Sequence, residues 1–234
     1  MGTPRVLKQR VPVKLKLDDL IEFEPLTDRQ ADAMHAFGKG NHVIMNGSAG
    51  TGKTFLALGM ALESVLDKNT PYEHVIIVRS IVPTLNIGFL PGDEAEKCAV
   101  YEAPYISICN DLFKTSGAYN RLKEQDVVKF LSTSFVRGIT LRNCIIIIDE
   151  SENLTFHELD SVVTRLGRDA KLITCGDYYQ SDLKTVSDKN GLYKFMEIAD
   201  NLTKMVTVDF LPEDIVRSGF VRDYLMTKER LGIR

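Results

Sequence analysis

Apolar residues gather in short blocks along this chain, and segments with helical spacing separate the blocks. Residues 42–45, 75–78, 144–148, 171–175 and 204–208 are runs of four or five mostly apolar residues. Continuous runs of this length fit strands buried on both faces. Residues 126–131 read as a short helix and 132–136 as a further strand. Thr27 opens a helix: Gln30 follows three residues later as a capping box, Ala31, Met34, His35 and Phe37 keep helical spacing, and Gly38 and Gly40 end it. Helices are also expected at 55–66, 105–114, 156–166, 192–199 and 219–230, the first with little polar surface. Residues 80–120 are the least regular, punctuated by Pro83, Gly88, Pro91, Gly92 and Pro104. Strands that alternate with helices predict a three-layer α/β fold with a mostly parallel sheet.

Composition narrows the class. A chain of 234 residues with 44% hydrophobic and 26% charged residues suits one large soluble domain, expected over 25–234. Residues 1–24 read as an N-terminal arm. Its first part is basic, with Arg5, Lys8, Arg10, Lys14 and Lys16; Asp18, Asp19, Glu22 and Glu24 then reverse the sign. The net charge of −3 excludes an overall basic footprint, so nucleic-acid contact falls to a local patch. Cys98, Cys109, Cys144 and Cys175 form no C-x-x-C pair, which argues for a reducing, cytoplasmic setting without structural zinc. No apolar run approaches membrane-spanning length, and the first ten residues lack the apolar stretch of a secretory signal.

The chemistry concentrates after the first strand. Gly47, Ser48, Ala49, Gly50, Thr51, Gly52, Lys53 and Thr54 have the spacing G-x-x-x-x-G-K-T of a phosphate-binding P-loop. Glycines let the backbone turn its N–H groups toward an anion, and the following helix aims its positive end at the same place. Lys53 is expected to reach the β- and γ-phosphates of ATP, and the Thr54 hydroxyl to ligate Mg²⁺. The strand 144–148 ends in Asp149, the expected second contact to Mg²⁺, and Glu150 is the candidate base for an attacking water. Gly176, Asp177 and Gln180 form a polar loop after the strand at 171–175. Arg79, Arg137, Arg165 and Arg217 are all candidates to neutralise charge on the transferring phosphoryl group. Gln30 has two open readings: a helix cap, or a side-chain amide that pairs with the adenine edge.

These residues resemble the PhoH family of P-loop ATPases, which is related to the first motor core of superfamily 1 helicases. The likeness covers about residues 25–230. It rests on the P-loop; on the GFLPG stretch at 88–92 followed by Glu96, Lys97, Pro104 and Tyr105; on Phe135, Val136, Arg137 and Gly138; on Asp149 and Glu150; on Thr164, Arg165, Leu166 and Gly167; on Gly176, Asp177 and Gln180; and on 214–217. The resemblance implies a RecA-like additional-strand core of strand order 5-1-4-3-2. It also implies Thr27 and Gln30 as an adenine-reading segment, Gln180 as a γ-phosphate sensor and Arg217 in the catalytic set. A homo-oligomeric ring, expected as a hexamer, and links to phosphate starvation and RNA unwinding are implied by it too. The usual D-E-A-Q-N is here Asp149-Glu150-Ser151-Glu152-Asn153, and four departures from the family pattern stand out: Ser80 for proline, Ile139 for arginine, Glu152 for glutamine and Ser218 for histidine.

The leading expectation is therefore a Mg²⁺-dependent ATPase acting on RNA or single-stranded DNA. The alternative is an ATP-gated ring that acts on a protein partner. A small-molecule kinase ranks last, because the insert at 80–120 carries no arginine for a lid and Glu150 favours water as acceptor. The 26 residues after Val208 are too few for a second motor core, so the completing arginine is expected from this core or a neighbouring chain.

Overall fold

The computed structural model describes residues 14–80, 94–178 and 186–232. Six parallel strands form one sheet: β1 (His42–Gly47), β2 (His74–Arg79), β3 (Val128–Ser132), β4 (Cys144–Ile148), β5 (Ala170–Gly176) and β6 (Met205–Phe210). Their spatial order is β3-β2-β4-β5-β1-β6. Read from β6, the order β6-β1-β5-β4-β2 is the 5-1-4-3-2 core, with β3 added outside β2. The helices are α1 (Asp28–Gly38), α2 (Lys53–Leu66), α3 (Glu94–Phe113), α4 (Ala118–Glu124), α5 (Phe156–Val163), α6 (Val186–Asp200) and α7 (Gly219–Arg230).

The strand period of two sorts the four isoleucines of β4 into two cores. Ile145 and Ile147 pack with α1 to α4 on one face, and Ile146 and Ile148 with α5 and α6 on the other. Both sets are fully buried, which is why the run reads as apolar throughout. Cys109, Cys144 and Cys175 are buried free thiols, and burial pushes Cys109 up to about 12 and Cys144 to about 11. Among the described residues no helix is long and apolar enough to cross a membrane.

Three local expectations are corrected. The strand expected at 132–136 is β3 at Val128–Ser132, and it replaces the short helix expected at 126–131. Its register on β2, Val75 with Val128 through Arg79 with Ser132, gives the edge of β2 its ladder partners and overrides the local helical reading. Helix α3 begins earlier than expected and carries Pro104 inside it. The segment before α1 is more than a charged arm: Leu15 is buried, and Leu20, Ile21 and Phe23 pack on the core. Phe23 meets Phe55 edge to face at 6.4 Å, and its ring occupies the space over Gly59, where an added Cβ would come within 2.6 Å of Phe23 Cζ. Residues 1–13 and the 88–92 stretch lie outside the described residues.

Candidate nucleotide-binding site

The carboxyl ends of β1, β4 and β5 converge on one loop, where ligands bind in open α/β sheets. That loop joins β1 to α2. Gly47, Gly50 and Gly52 have φ of 124°, 81° and 83°, a backbone that side-chain-bearing residues rarely adopt. Gly47 has a second reason to be glycine, since a Cβ there would lie 2.0 Å from the Phe210 carbonyl oxygen. Thr51 is fully buried and donates its hydroxyl to the Ser48 carbonyl at 3.0 Å. Lys53 Nζ reaches back over the loop to the carbonyls of Gly47 and Ser48, at 2.5 and 2.8 Å. Burial holds its pKa below the ordinary lysine value, against the pull of Cys175, Asp177, Glu152 and Asp149.

Thr54, in the first turn of α2, donates to Asp149 Oδ1 at 2.9 Å. Asp149 is 4% exposed, and its other oxygen accepts the Tyr105 hydroxyl at 2.8 Å. Burial raises the Asp149 pKa. A hydroxyl and a carboxylate are the hard oxygen donors that Mg²⁺ takes alongside phosphate oxygens and water. Among the described residues no cluster of three His, Cys, Asp or Glu could form an all-protein metal cage. The donor set therefore fits a cation shared with a nucleotide.

Glu150 follows with φ 52° and ψ 45°, a left-handed backbone that costs a non-glycine residue about 1–3 kcal/mol. Its carboxylate lies 3.8 Å from Arg79 at the end of β2. The Arg79 guanidinium in turn lies 5.6 Å from the centre of the Tyr101 ring. Two residues past Glu150, Glu152 is 8% exposed and accepts the Asp177 N–H at 3.2 Å. Burial and the Glu150 charge push it up to about 8. Gly176 makes room for this contact, since a Cβ there would lie 2.3 Å from Ser151 Oγ and 2.6 Å from Glu152 Oε2. Asn46 fastens the neighbouring strand ends by donating to Asp209 Oδ1 at 2.7 Å and accepting the Tyr178 N–H at 3.1 Å.

Thr27 caps α1, but the reciprocal bond of the expected capping box is replaced, because the Gln30 side chain turns to Leu26 and to the P-loop. The Gln30 backbone N–H reaches the Thr27 hydroxyl at 3.3 Å, and its side-chain oxygen accepts from the Leu26 N–H at 2.8 Å. Its Nε2 donates to the Thr51 carbonyl in the P-loop at 2.9 Å. Each end of the amide thus has a protein partner already. From the other side, Val216 N–H bonds the Gly50 carbonyl at 3.0 Å, and the stem of Arg217 lies beside Gly50. Ser48 Oγ donates to Glu229 Oε1 of α7 at 3.2 Å.

The site thus gathers Gln30, Gly47, Ser48, Ala49, Gly50, Thr51, Gly52, Lys53, Thr54, Asp149, Glu150 and, at its rim, Arg217. Of the other candidate arginines, Arg79 stands beside Glu150. Arg137 is exposed on the loop after β3, and the Arg165 carbonyl accepts the Leu141 N–H away from the P-loop. Gln180 lies outside the described residues. Sequence reasoning missed the Tyr105 hydroxyl, Asn46 and the pairing of Arg79 with Glu150. Each joins residues far apart in the chain, and no local spacing encodes them.

The family model of PhoH-like proteins matches residues 22–227. The chain belongs to the PhoH family. The PhoH-like protein of Synechocystis sp. is 30% identical over 227 residues, 97% of this chain and 67% of its own. The PhoH-like protein of Bacillus subtilis is 31% identical over 193 residues, 82% of this chain and 59% of its own. Protein PhoH of Escherichia coli is 30% identical and covers 86% of this chain. The chain spans 57% to 67% of the length of these curated PhoH relatives. Among solved structures, the large terminase of a thermophilic bacteriophage is similar in fold, with TM-score 0.52 at 14% identity over 89% of this chain and 50% of that one.

The four departures from the PhoH pattern fall at distinct places. Glu152 is buried beside the turn after β5. Ser80 is buried and faces Glu158, 3.5 Å away. Ile139 is 42% exposed on the loop after β3. Ser218 precedes α7 without capping it through its side chain.

Proposed function

We propose that this chain is a Mg²⁺-dependent ATPase with water as the phosphoryl acceptor. The observation that carries the reading is Glu150: it adjoins the Asp149–Thr54 pair, on left-handed backbone, with its carboxylate facing Arg79. The N–H groups of the loop from Gly47 to Gly52, with the Lys53 ammonium, bind the triphosphate. Mg²⁺ would be held by Thr54 directly and by Asp149 through water, and when bound it neutralises charge across the β- and γ-phosphates. Glu150 orients the attacking water and takes its proton, while Arg79 holds the carboxylate in position. Arg217 completes charge neutralisation at the rim, Gln30 steadies the loop on the base side, and Gln180 senses the γ-phosphate.

PhoH membership further supports a homo-oligomeric ring, with hydrolysis coupled to RNA or single-stranded DNA. A second reading is an ATP-gated ring that acts on a protein partner. The net charge of −3 and Ile139 in place of an arginine favour it. The test is steady-state ATPase of the purified chain over a range of protein concentrations, with and without single-stranded RNA and DNA. Glu150→Gln should slow turnover about 10²- to 10⁴-fold while ADP binding is kept; an unchanged rate would remove Glu150 from the mechanism. Stimulation by a polymer names the substrate class. Activation by assembly alone favours the protein partner.

A further inference from the structure

We propose that Tyr105 is a positioning residue for the carboxylate of Asp149 that serves the metal, an inference that rests on the ATPase reading above. Torsion about the last bond of an aspartate side chain is soft, so a carboxylate with one fixed oxygen still swings. Thr54 fixes Oδ1 at 2.9 Å, and the Tyr105 hydroxyl fixes Oδ2 at 2.8 Å from the opposite side. Tyr105 is fully buried, and its ring packs against Phe130 with centroids 6.0 Å apart. The phenol therefore has a rigid mount, donates to Asp149, and also faces the Arg79 guanidinium.

The mount extends to the water-activating side. Tyr101, one helical turn earlier on α3, lies beneath the guanidinium of Arg79, which pairs with Glu150. Two tyrosines spaced i and i+4 on one helix thus brace Asp149 directly and Glu150 through Arg79. Neither contact follows from the P-loop or from the strand end that carries the two acids. Removal of a group that orients a metal ligand costs metal affinity 10- to 100-fold in general.

The experiment compares Tyr105→Phe with a matched control. Tyr119 is equally buried, and its hydroxyl donates to Glu102 Oε2 at 2.6 Å. Tyr119→Phe therefore deletes the same kind of bond away from the metal side. Binding of a fluorescent ADP analogue to the full chain is titrated with Mg²⁺, starting from EDTA, and thermal melts are recorded in parallel. Tyr105→Phe should raise the Mg²⁺ half-saturation about tenfold while Mg²⁺-free affinity stays at the wild-type value. Tyr119→Phe should lower the melting temperature and leave the Mg²⁺ curve in place. A Mg²⁺ midpoint in Tyr105→Phe within twofold of wild type overturns the proposal. If wild type itself shows no Mg²⁺ dependence, the ATPase reading falls instead. Should Tyr105→Phe melt below the assay temperature, all three proteins are titrated in sucrose, which favours the folded state; the same two outcomes then decide.

Discussion

Glutamate 152 supplies the sharpest test of the electrostatics beneath the site. Glu152→Gln keeps a side-chain oxygen for the Asp177 N–H and removes the ionisable proton. Burial moves the carboxyl from the ordinary glutamate value of 4.5 to about 8, with Glu150 adding to the shift. A raised folded-state value means that the folded chain holds a proton which the unfolded chain releases. Stability from this group is full below about pH 4.5, falls through the window from 4.5 to about 8, and is flat above it. Each pH unit inside the window is worth about 1.4 kcal/mol. Between pH 5.5 and 7.5 wild type should lose on the order of 3 kcal/mol relative to Glu152→Gln. With a urea slope of about 2 kcal/mol per molar, that is a relative midpoint shift of about 1–2 M. The assay is urea unfolding of both proteins in EDTA across this range. Glu150 lies close enough to couple with residue 152, so the difference curve reports this acid pair, with the other carboxylates common to both proteins. Parallel curves would show that Glu152 is ionised in the folded chain, and the desolvation argument would be wrong.

Two further substitutions test other parts of the structure. Gly59→Ala should destabilise by about 1–2 kcal/mol in wild type, where Phe23 fills the space, yet stabilise by up to about 1 kcal/mol in a Phe23→Leu background, as alanine is the better helix former; thermal melts of the four proteins check the change of sign, and its absence would detach residues 15–23 from the domain. Gln30→Ala should weaken ATP and GTP by the same factor, because the amide holds the Thr51 carbonyl; selective loss of ATP in a competition assay would restore Gln30 as a reader of adenine.

What could be read from the sequence followed from locality. Strands β1, β2, β4 and β5 are covered on both faces and so appear as mostly apolar runs. Strand β3 lies at the sheet edge with its middle three residues only half-buried, and Val128, Lys129, Phe130 and Leu131 have no pattern that separates strand from helix. Pro104 reads as a boundary because proline removes a helical N–H, yet α3 runs through it. Charge at 18–24 masks the apolar set Leu15, Leu20, Ile21 and Phe23, which spans one 3-10 turn and a bend and has no single period. In the site, Gly47 to Thr54 and Asp149 are legible because their spacing is local. Tyr105 to Asp149 and Asn46 to Asp209 span 44 and 163 residues, and only the folded sheet brings them together.

The placement of β1 between β5 and β6 also sets a timetable. Bonds from β1 to these two neighbours cross 130 and 163 residues, so the strand that carries the P-loop is made early and completed late. At a synthesis rate of about 5–20 residues per second, β1 waits on the order of ten seconds for its flanks. During that interval Val43, Ile44 and Met45, fully buried in the folded chain, lack both flanking strands. The Phe210 carbonyl that shapes Gly47 and the Val216 N–H that holds Gly50 are likewise made long after the loop itself. A chain released before β6 therefore carries the whole phosphate-binding motif and lacks the carbonyl that shapes its first glycine.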